Sequence, residues 1–376
     1  MEAPRPLPVL RAMIDALDRD LLQIMAQRMA LVSEVAASKR ASGLRIRDAE
    51  RERDVLEDRQ ERARSLGLPP EEIESIFRLI LRASRDHQAT LRTEIPAAEV
   101  PRTVAVIGGH GQMGRMLVRL FGDLGHRPLV VDRDTALRAE EAAAVADVTV
   151  VAVPIGETNA VIGAVGPCVR TDGLLMDVTS LKQAPVEAMC AATSASVVGT
   201  HPMFGPSVHS LQGQRVVVCR ARGDAWADWV IHTFTARGLT VTEATPEAHD
   251  RAMAIVQVLT HFQTQVHGLA LARLGTPLEA TLPYTSPAYL LELYVTARHF
   301  AQDPGLYGPI EMRNAATPDV TATFRAAADE LAAVLATGDQ DAFAQQFAEV
   351  RSFFGEFTTE AVAASRALID RIVERG

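Results

Sequence analysis

The hydrophobic pattern of the first ninety residues predicts three amphipathic helices. Over residues 7–41, apolar residues recur at spacings near three, four and seven, as on one face of a helix that ends at Ser42-Gly43. A second helix is predicted from Asp48 to Ser65 and a third from Glu71 to Leu91. Three helices with so long a first one cannot bury its apolar stripe alone, so we expect pairing with a second copy.

The pattern changes after residues 93–102, which have the composition of a linker. Short apolar strands then alternate with helical segments, which predicts a mostly parallel sheet. The six predicted strands are 103–107, 128–132, 148–153, 174–178, 197–200 and 216–219. Beyond Thr245 the pattern is helical again, and Thr245-Pro246 and Ser286-Pro287 are typical helix starts. The predicted fold is multidomain: all-α over 1–92, α/β of the Rossmann type over 103–244, and all-α over 245–376.

Composition and charge narrow the class of protein. A hydrophobic content of 48% with 23% charged residues is normal for a soluble protein, and a net charge of −9 argues against nucleic-acid binding. No apolar run reaches membrane-spanning length, and the three cysteines have no metal-ligand spacing, so we expect a reduced, cytoplasmic enzyme without a metal. Only two of the 38 basic residues are lysines, Lys39 and Lys182. We expect both to mark sites where a compact ammonium group cannot be replaced by a guanidinium.

A glycine-rich turn follows the first predicted strand and precedes the helical residues 115–124. Its pattern is G-x-G-x-x-G, in the strand–turn–helix context that dinucleotide binding requires. The second strand ends in an acidic residue, suitably placed to accept hydrogen bonds from the ribose hydroxyls, which favours NAD over NADP, although Arg133 beside it weakens that preference. The predicted cofactor-binding residues are Gly109, Gly111, Gln112, Met113, Gly114 and Asp132.

Polar residues also follow the later strands, at the carboxyl edge where ligands bind in such sheets. His201 comes at the end of a short strand, between prolines and glycines, where it is well placed to take the proton of a substrate hydroxyl. The run His201-Pro202-Met203-Phe204-Gly205-Pro206, with the glycine-rich turn upstream and Ala301-Gln302-Asp303-Pro304 downstream, resembles prephenate dehydrogenases over roughly residues 102–370.

This resemblance implies specific roles. His201 would contact the ring hydroxyl of prephenate while NAD takes the hydride, and loss of CO2 would give 4-hydroxyphenylpyruvate. Arg298 would bind a substrate carboxylate, Lys182 would lie near the active site, and His261 would bind substrate or tyrosine, the expected feedback inhibitor. The chain departs from some members at Ala152, where they place a serine near the end of the third strand.

The N-terminal helices carry a second polar set. Arg28 and Lys39 are 11 residues apart, about three helical turns, and so share a face, whereas Arg11 is rotated by roughly 100° from Arg28. Taken together, eight residues resemble the active-site set of the all-helical chorismate mutases over roughly residues 5–92: Arg11, Arg28, Lys39, Asp48, Arg51, Glu52, Ser84 and Gln88. The resemblance implies a helix-swapped homodimer in which each site takes one arginine from the partner. It further implies that Lys39 and Gln88 donate to the ether oxygen of chorismate.

Two alternatives stay open on the sequence. Residues 1–92 could be a non-catalytic dimerisation or regulatory module, although the complete polar set argues against this. The dehydrogenase could prefer arogenate or an unrelated hydroxy acid, because prephenate and arogenate differ only at the tail and no residue here reads that tail reliably.

Overall fold

The computed structural model describes residues 5–42, 48–91, 100–208 and 210–373. The predicted helix stop at Gly43 and most of the predicted linker, residues 92–99, lie outside the described residues. The chain forms two compact units. The first comprises residues 1–153, 160–178 and 186–244, and the second comprises residues 154–159, 179–185 and 245–376.

The three predicted N-terminal helices are confirmed. They are α1 (Leu7–Ala41), α2 (Ala49–Ser65) and α3 (Pro70–Leu91), and α3 packs against both of the others. The buried apolar residues of α1, Val32 and Ala36, lie in its C-terminal half. The apolar residues of its N-terminal half are exposed in the single chain: Leu10, Ile14, Leu17, Leu21 and Ile24. The long first helix therefore presents an apolar stripe that its own chain leaves uncovered.

A seven-stranded sheet forms the centre of the first unit. Its strands are β1 (Thr103–Ile107), β2 (Arg127–Val131), β3 (Val148–Val151), β4 (Leu174–Asp177), β5 (Ser196–Pro202), β6 (Arg215–Arg222) and β7 (Thr240–Glu243). They lie in the order β2-β1-β3-β4-β5-β6-β7. The first five are parallel, β6 is antiparallel to β5, and β7 is parallel to β6, which confirms a mostly parallel sheet.

Helices cover both faces of this sheet. They are α4 (Gln112–Asp123), α5 (Ala139–Val145), α6 (Ile155–Val165), α7 (Gln183–Ala192) and α8 (Asp224–Ala236). Alternate residues of β1 enter different clusters: Val104 and Val106 pack with α4 and α8 residues, while Ala105 and Ile107 pack with α5 and α6 residues. Burial of both faces explains why the parallel strands are continuous apolar runs rather than alternating ones.

The second unit is mainly helical. Its helices are α9 (Pro246–Met253), a π-helix (Ala254–Leu259), α10 (Thr260–Leu274), α11 (Leu278–Thr281), α12 (Pro287–Phe300), α13 (Pro304–Arg313), α14 (Thr317–Thr337), α15 (Gln340–Phe354) and α16 (Phe357–Val373). Both predicted caps are confirmed, since Thr245 accepts from Ala248 N and Ser286 accepts from Tyr289 N. Within the described part of the chain, no helix is long and apolar enough to cross a membrane.

Candidate active sites

The N-terminal helices bring together a buried polar cluster around Ser84. Arg28 Nη1 of α1 donates to Ser84 Oγ of α3, and Ser84 in turn donates to Ile80 O at 2.7 Å. Gln88, one helical turn beyond Ser84, is 7% exposed, and its Oε1 has no hydrogen-bond partner among the described residues. Three members of the predicted set, Arg28, Ser84 and Gln88, therefore share the interface between α1 and α3.

The other members of this set are distributed around it. Lys39 is half-buried and partnered, whereas Asp48 and Arg51 are exposed at the start of α2. Asp48 caps α2 by accepting from Arg51 N at 3.0 Å. Arg11 is exposed, and the 17 residues that separate it from Arg28 place it about 25 Å away along the helix. The structure of one chain does not bring Arg11 to the cluster.

Sequence reasoning missed two arginines that adjoin this cluster. Arg85 Nη1 of α3 donates to Glu52 Oε1 of α2 at 2.6 Å. Burial lowers the pKa of Arg28, and the nearby positive charge of Arg59 on α2 lowers it further. In the sequence, Arg85 and Arg59 look like ordinary surface arginines of charged helices. Their place beside the cluster follows only from the packing of α3 against α2.

The glycine-rich turn lies between the end of β1 and the start of α4. The positive φ, +84°, belongs to Gly108, so Gly108 rather than Gly109 takes the backbone conformation that requires glycine. A Cβ at Gly108 would overlap the Ala152 carbonyl, and one at Gly114 would overlap the Gly108 carbonyl. The Gly114 contact fits the close packing of helix on strand in a dinucleotide site, and the Gly108 contact places the turn against the residue that follows β3.

The N-terminus of α4 begins directly after this turn, at Gln112 with Gly111 as N-cap. The N–H groups of the first helical turn have no partner within the helix and present partial positive charge. Residues Gly111, Gln112 and Met113 are thus arranged as an anion-binding helix start, which fits the pyrophosphate of a dinucleotide.

Asp132 follows β2, and its carboxylate is hydrogen-bonded to the glycine-rich turn after β1. Its Oδ2 accepts from His110 N at 2.9 Å and its Oδ1 accepts from Arg133 N at 2.8 Å. Burial raises the pKa of Asp132, but the two backbone N–H donors outweigh it and hold the pKa below its ordinary value. The carboxylate is therefore ionised at neutral pH and can accept further hydrogen bonds.

His201 lies within β5, which is longer than the sequence suggested. Its backbone pairs with Val217 of β6, and the residue is only 3% exposed. The preceding Thr200 donates from its hydroxyl to Asp177 O at the end of β4, at 2.6 Å. A central strand and this buried hydrogen bond fix the backbone at His201.

Lys182, in the segment after β4, is completely buried. This segment, residues 179–185, belongs to the second unit, where Asp250 of α9 holds it. The Asp250 carboxylate accepts from Lys182 N at 2.9 Å, from Gln183 N at 3.0 Å and from His249 Nδ1 at 2.7 Å. Burial raises the pKa of Asp250, yet these donors together keep it below its ordinary value. The predicted lysine is thus held on a fixed backbone, and sequence reasoning missed the carboxylate that fixes it.

His261 lies at the start of α10, directly after the π-helix, in a cluster with rings from α12 and α13. The His261 ring centroid is 5.4 Å from that of His299 and 4.7 Å from that of Tyr307, and its Nδ1 is 3.7 Å from Glu311 Oε1. Burial, and then the charge of His299, lowers the pKa of His261 to about 4, so the imidazole is neutral at neutral pH.

Arg298 stands on α12 next to this cluster and is exposed, as are Tyr294 and Val295 beside it. The face of α12 that carries Arg298 is therefore partly apolar and open to solvent in the single chain. The π-helix before His261 is a further sign of a site, because such segments are frequent at functional positions. All three cysteines are free, and among the described residues no cluster of side chains could hold a metal ion.

The chain thus combines a buried polar cluster between α1 and α3 with a glycine turn and an acidic strand end of the kind that binds dinucleotides. Three family models match in order along the sequence: chorismate mutase type II over residues 10–89, the nucleotide-binding domain of prephenate dehydrogenase over 128–242, and its dimerization domain over 245–349. The chain is 35% identical to the T-protein of Enterobacter agglomerans over 96% of its length and 97% of the relative, and 33% identical to that of Haemophilus influenzae over 96% of each.

The chain belongs to the family of bifunctional chorismate mutase/prephenate dehydrogenases. It combines chorismate mutase activity with NAD-dependent prephenate dehydrogenase activity in tyrosine biosynthesis. Its fold is similar to a prephenate dehydrogenase from A. aeolicus crystallised with hydroxyphenyl propionate and NAD+, at 16% identity and a TM-score of 0.57, covering 68% of this chain and 98% of that one.

The substitution Gly114→Ala tests the glycine turn. Because the new Cβ would overlap the Gly108 carbonyl, α4 must move away from β1, and overpacking of this kind costs about 1–3 kcal/mol. We expect the KM for NAD to rise by about tenfold or more, with the mutase rate unchanged. Gly163→Ala on α6 is the matched control, since nothing lies within 4 Å of its Cβ position. Normal saturation by NAD in Gly114→Ala would contradict the assignment.

Proposed function

We propose that the two activities are divided along the chain at specific boundaries. Residues 1–92 form the chorismate mutase, 93–102 a linker, 103–244 the NAD-binding domain of the dehydrogenase, and 245–376 its substrate and dimerisation domain. The observation that carries this proposal is the match of one mutase model and two dehydrogenase models, in that order, to a single chain.

The mutase site works by positioning, because the rearrangement of chorismate is pericyclic and needs no acid, base or cofactor. Arg28, with Ser84 beside it, binds a carboxylate of chorismate and favours the compact conformer. Lys39 and Gln88 donate to the ether oxygen, where negative charge develops as the C–O bond breaks. Support comes from the burial of Ser84 and Gln88 next to Arg28.

Glu52 has a different role in this site. An ionised carboxylate accepts hydrogen bonds but cannot donate them. Chorismate has one hydroxyl group, which is the group on the substrate dianion that can donate. We assign Glu52 to that hydroxyl. Asp48 and Arg51 complete the set at the start of α2, where Asp48 also caps the helix.

A homodimer completes this site with Arg11. Arg11 is about 25 Å from Arg28 along α1, and the helix between them exposes the apolar residues Leu17 and Leu21. A second copy that covers this stripe would bring its own Arg11 to the site. The C-terminal domain offers a second contact, since its family model is described as a dimerization domain.

Arg28→Ala tests the mutase assignment. Removal of one preorganised cationic donor from a buried site is expected to lower the mutase kcat/KM by about 100-fold or more, because such donors are worth 10²–10³ in rate. Dehydrogenase turnover of added prephenate should remain normal. Arg82→Ala, an exposed arginine of α3, provides the matched control. An unchanged mutase rate in Arg28→Ala would mean that residues 1–92 act only as a dimerisation or regulatory module.

The dehydrogenase oxidises the ring carbon that bears the hydroxyl of prephenate. His201 accepts the proton of that hydroxyl at a ring nitrogen as the carbonyl forms. NAD, when bound at Gly109, Gly111, Gln112, Met113, Gly114 and Asp132, supplies the acceptor for the hydride. The ring carboxylate leaves as CO2, and its bonding electrons complete the aromatic ring. The former carbonyl oxygen takes a proton back from the protonated His201 and becomes the hydroxyl of 4-hydroxyphenylpyruvate.

Three residues of the second unit hold the substrate in this proposal. Arg298 binds a carboxylate as a bidentate pair, which suits its exposed guanidinium. Lys182 contributes positive charge from its buried position, and His261, neutral at neutral pH, contributes a hydrogen bond rather than a charge. Tyrosine resembles the product and would inhibit by occupying the same place. The free cysteines agree with a reducing, cytoplasmic location.

Steady-state turnover of prephenate and arogenate, each with NAD and NADP, tests the specificity. The ionised Asp132 carboxylate would repel the 2′-phosphate of NADP, so we expect kcat/KM with NAD to be at least about tenfold higher. Prephenate should be the better of the two substrates. A higher kcat/KM for arogenate would establish the alternative dehydrogenase activity and overturn the preference proposed here.

A further inference from the structure

An ion pair between Glu52 and Arg85 joins α2 to α3. Arg85 Nη1 lies 2.6 Å from Glu52 Oε1, and both side chains are about four-fifths buried, at 22% and 19% exposure. The ion pairs Arg62–Asp58 and Arg78–Glu74, by contrast, each join residues of a single helix and are more exposed. A largely buried pair that connects two helices is screened less by water than these surface pairs.

The position of this pair relates it to the mutase cluster. Arg85 directly follows Ser84, which accepts from Arg28, so the Glu52–Arg85 pair and the Arg28–Ser84 bond are held by the same turn of α3. Pairing of α2 with α3 has other support, since Leu56 and Ala63 are buried and Gln60 donates to Glu74 further along both helices. The Glu52–Arg85 pair is therefore one of several contacts between α2 and α3, and it is the one on the turn of α3 that carries Ser84.

We propose that Arg85 is a positioning residue of the mutase, which acts through Glu52 to orient the carboxylate for the substrate hydroxyl. This inference rests on the proposed function of Glu52 and adds a residue outside the eight that the resemblance identifies. A guanidinium at hydrogen-bond distance favours the ionised carboxylate and restricts its rotation. The conformational freedom of Glu52 is then already reduced before chorismate binds, which lowers the cost of binding.

The effect should fall on KM more than on kcat. The hydroxyl of chorismate keeps its bond to Glu52 in both the ground state and the transition state, so the interaction contributes uniform binding. In Arg85→Met, which retains an unbranched apolar stem and removes the guanidinium, we expect KM for chorismate to rise by about tenfold, the size of one charge-assisted hydrogen bond. The kcat should change by less than about twofold. Arg85→Lys should recover most of the loss, because the ammonium group can still pair with the carboxylate.

A double-mutant cycle with Glu52→Gln separates positioning from a general structural role. If Arg85 acts through Glu52, Arg85→Met should have little further effect on KM in the Glu52→Gln background. Dehydrogenase turnover of prephenate in the same preparations reports on folding of the rest of the chain. Arg78→Met is the matched control, since it removes an Arg–Glu pair of the same helix that is more exposed, and it should leave both activities unchanged.

The outcomes distinguish this inference from the proposed role of Glu52. If Glu52→Gln lowers mutase kcat/KM but Arg85→Met does not, the role of Glu52 stands and the inference about Arg85 is wrong. If Glu52→Gln has no effect, both are wrong. If Arg85→Met has the same effect in the Glu52→Gln background as in the wild type, or if Arg85→Lys recovers nothing, Arg85 acts on the stability of the helices and the inference is overturned.

Discussion

Burial of polar side chains is the constraint on which both sites depend. Ser84 and Gln88 in the helical domain, and Lys182 and His201 in the remainder of the chain, are all less than one-tenth exposed. A buried polar group is costly unless it is hydrogen-bonded, so each of these positions needs rigid support from its surroundings. The same lack of water strengthens the electrostatic interactions of any ligand that reaches them.

The two halves of the chain meet this constraint differently. The dehydrogenase half uses a sheet. Glycine at position 114 lets α4 approach the turn after β1, glycine at position 108 lets that turn approach Ala152 after β3, and the hydrogen bond from Thr200 to Asp177 fixes the strand that carries His201. The N-terminal half uses only helices, so its polar residues support one another across helix interfaces, as Arg28 with Ser84 and Arg85 with Glu52. This arrangement leaves much of α1 uncovered. In our proposal, a second copy covers the apolar stripe and also brings its own Arg11 to the site.

Much of the fold follows from the sequence because its elements have strong periodic signals. The bounds of the helix at 7–41 and the caps at Thr245 and Ser286 were predictable to within a residue or two. Strand β7 was not, since Thr240–Glu243 is a largely exposed edge strand with one apolar residue. The support residues were not predictable either: Arg85, Asp250 and Glu311 are ordinary charged residues in sequence, and only tertiary packing brings them to Glu52, Lys182 and His261.

The central claim is that one chain carries two active sites that catalyse consecutive reactions. This claim can be tested with a single substrate. Purified protein supplied with chorismate and NAD, and with no added prephenate, should produce NADH and 4-hydroxyphenylpyruvate in equal amounts. NADH from added prephenate but none from chorismate would show that the N-terminal helices lack mutase activity. NADH from neither substrate would contradict the account as a whole.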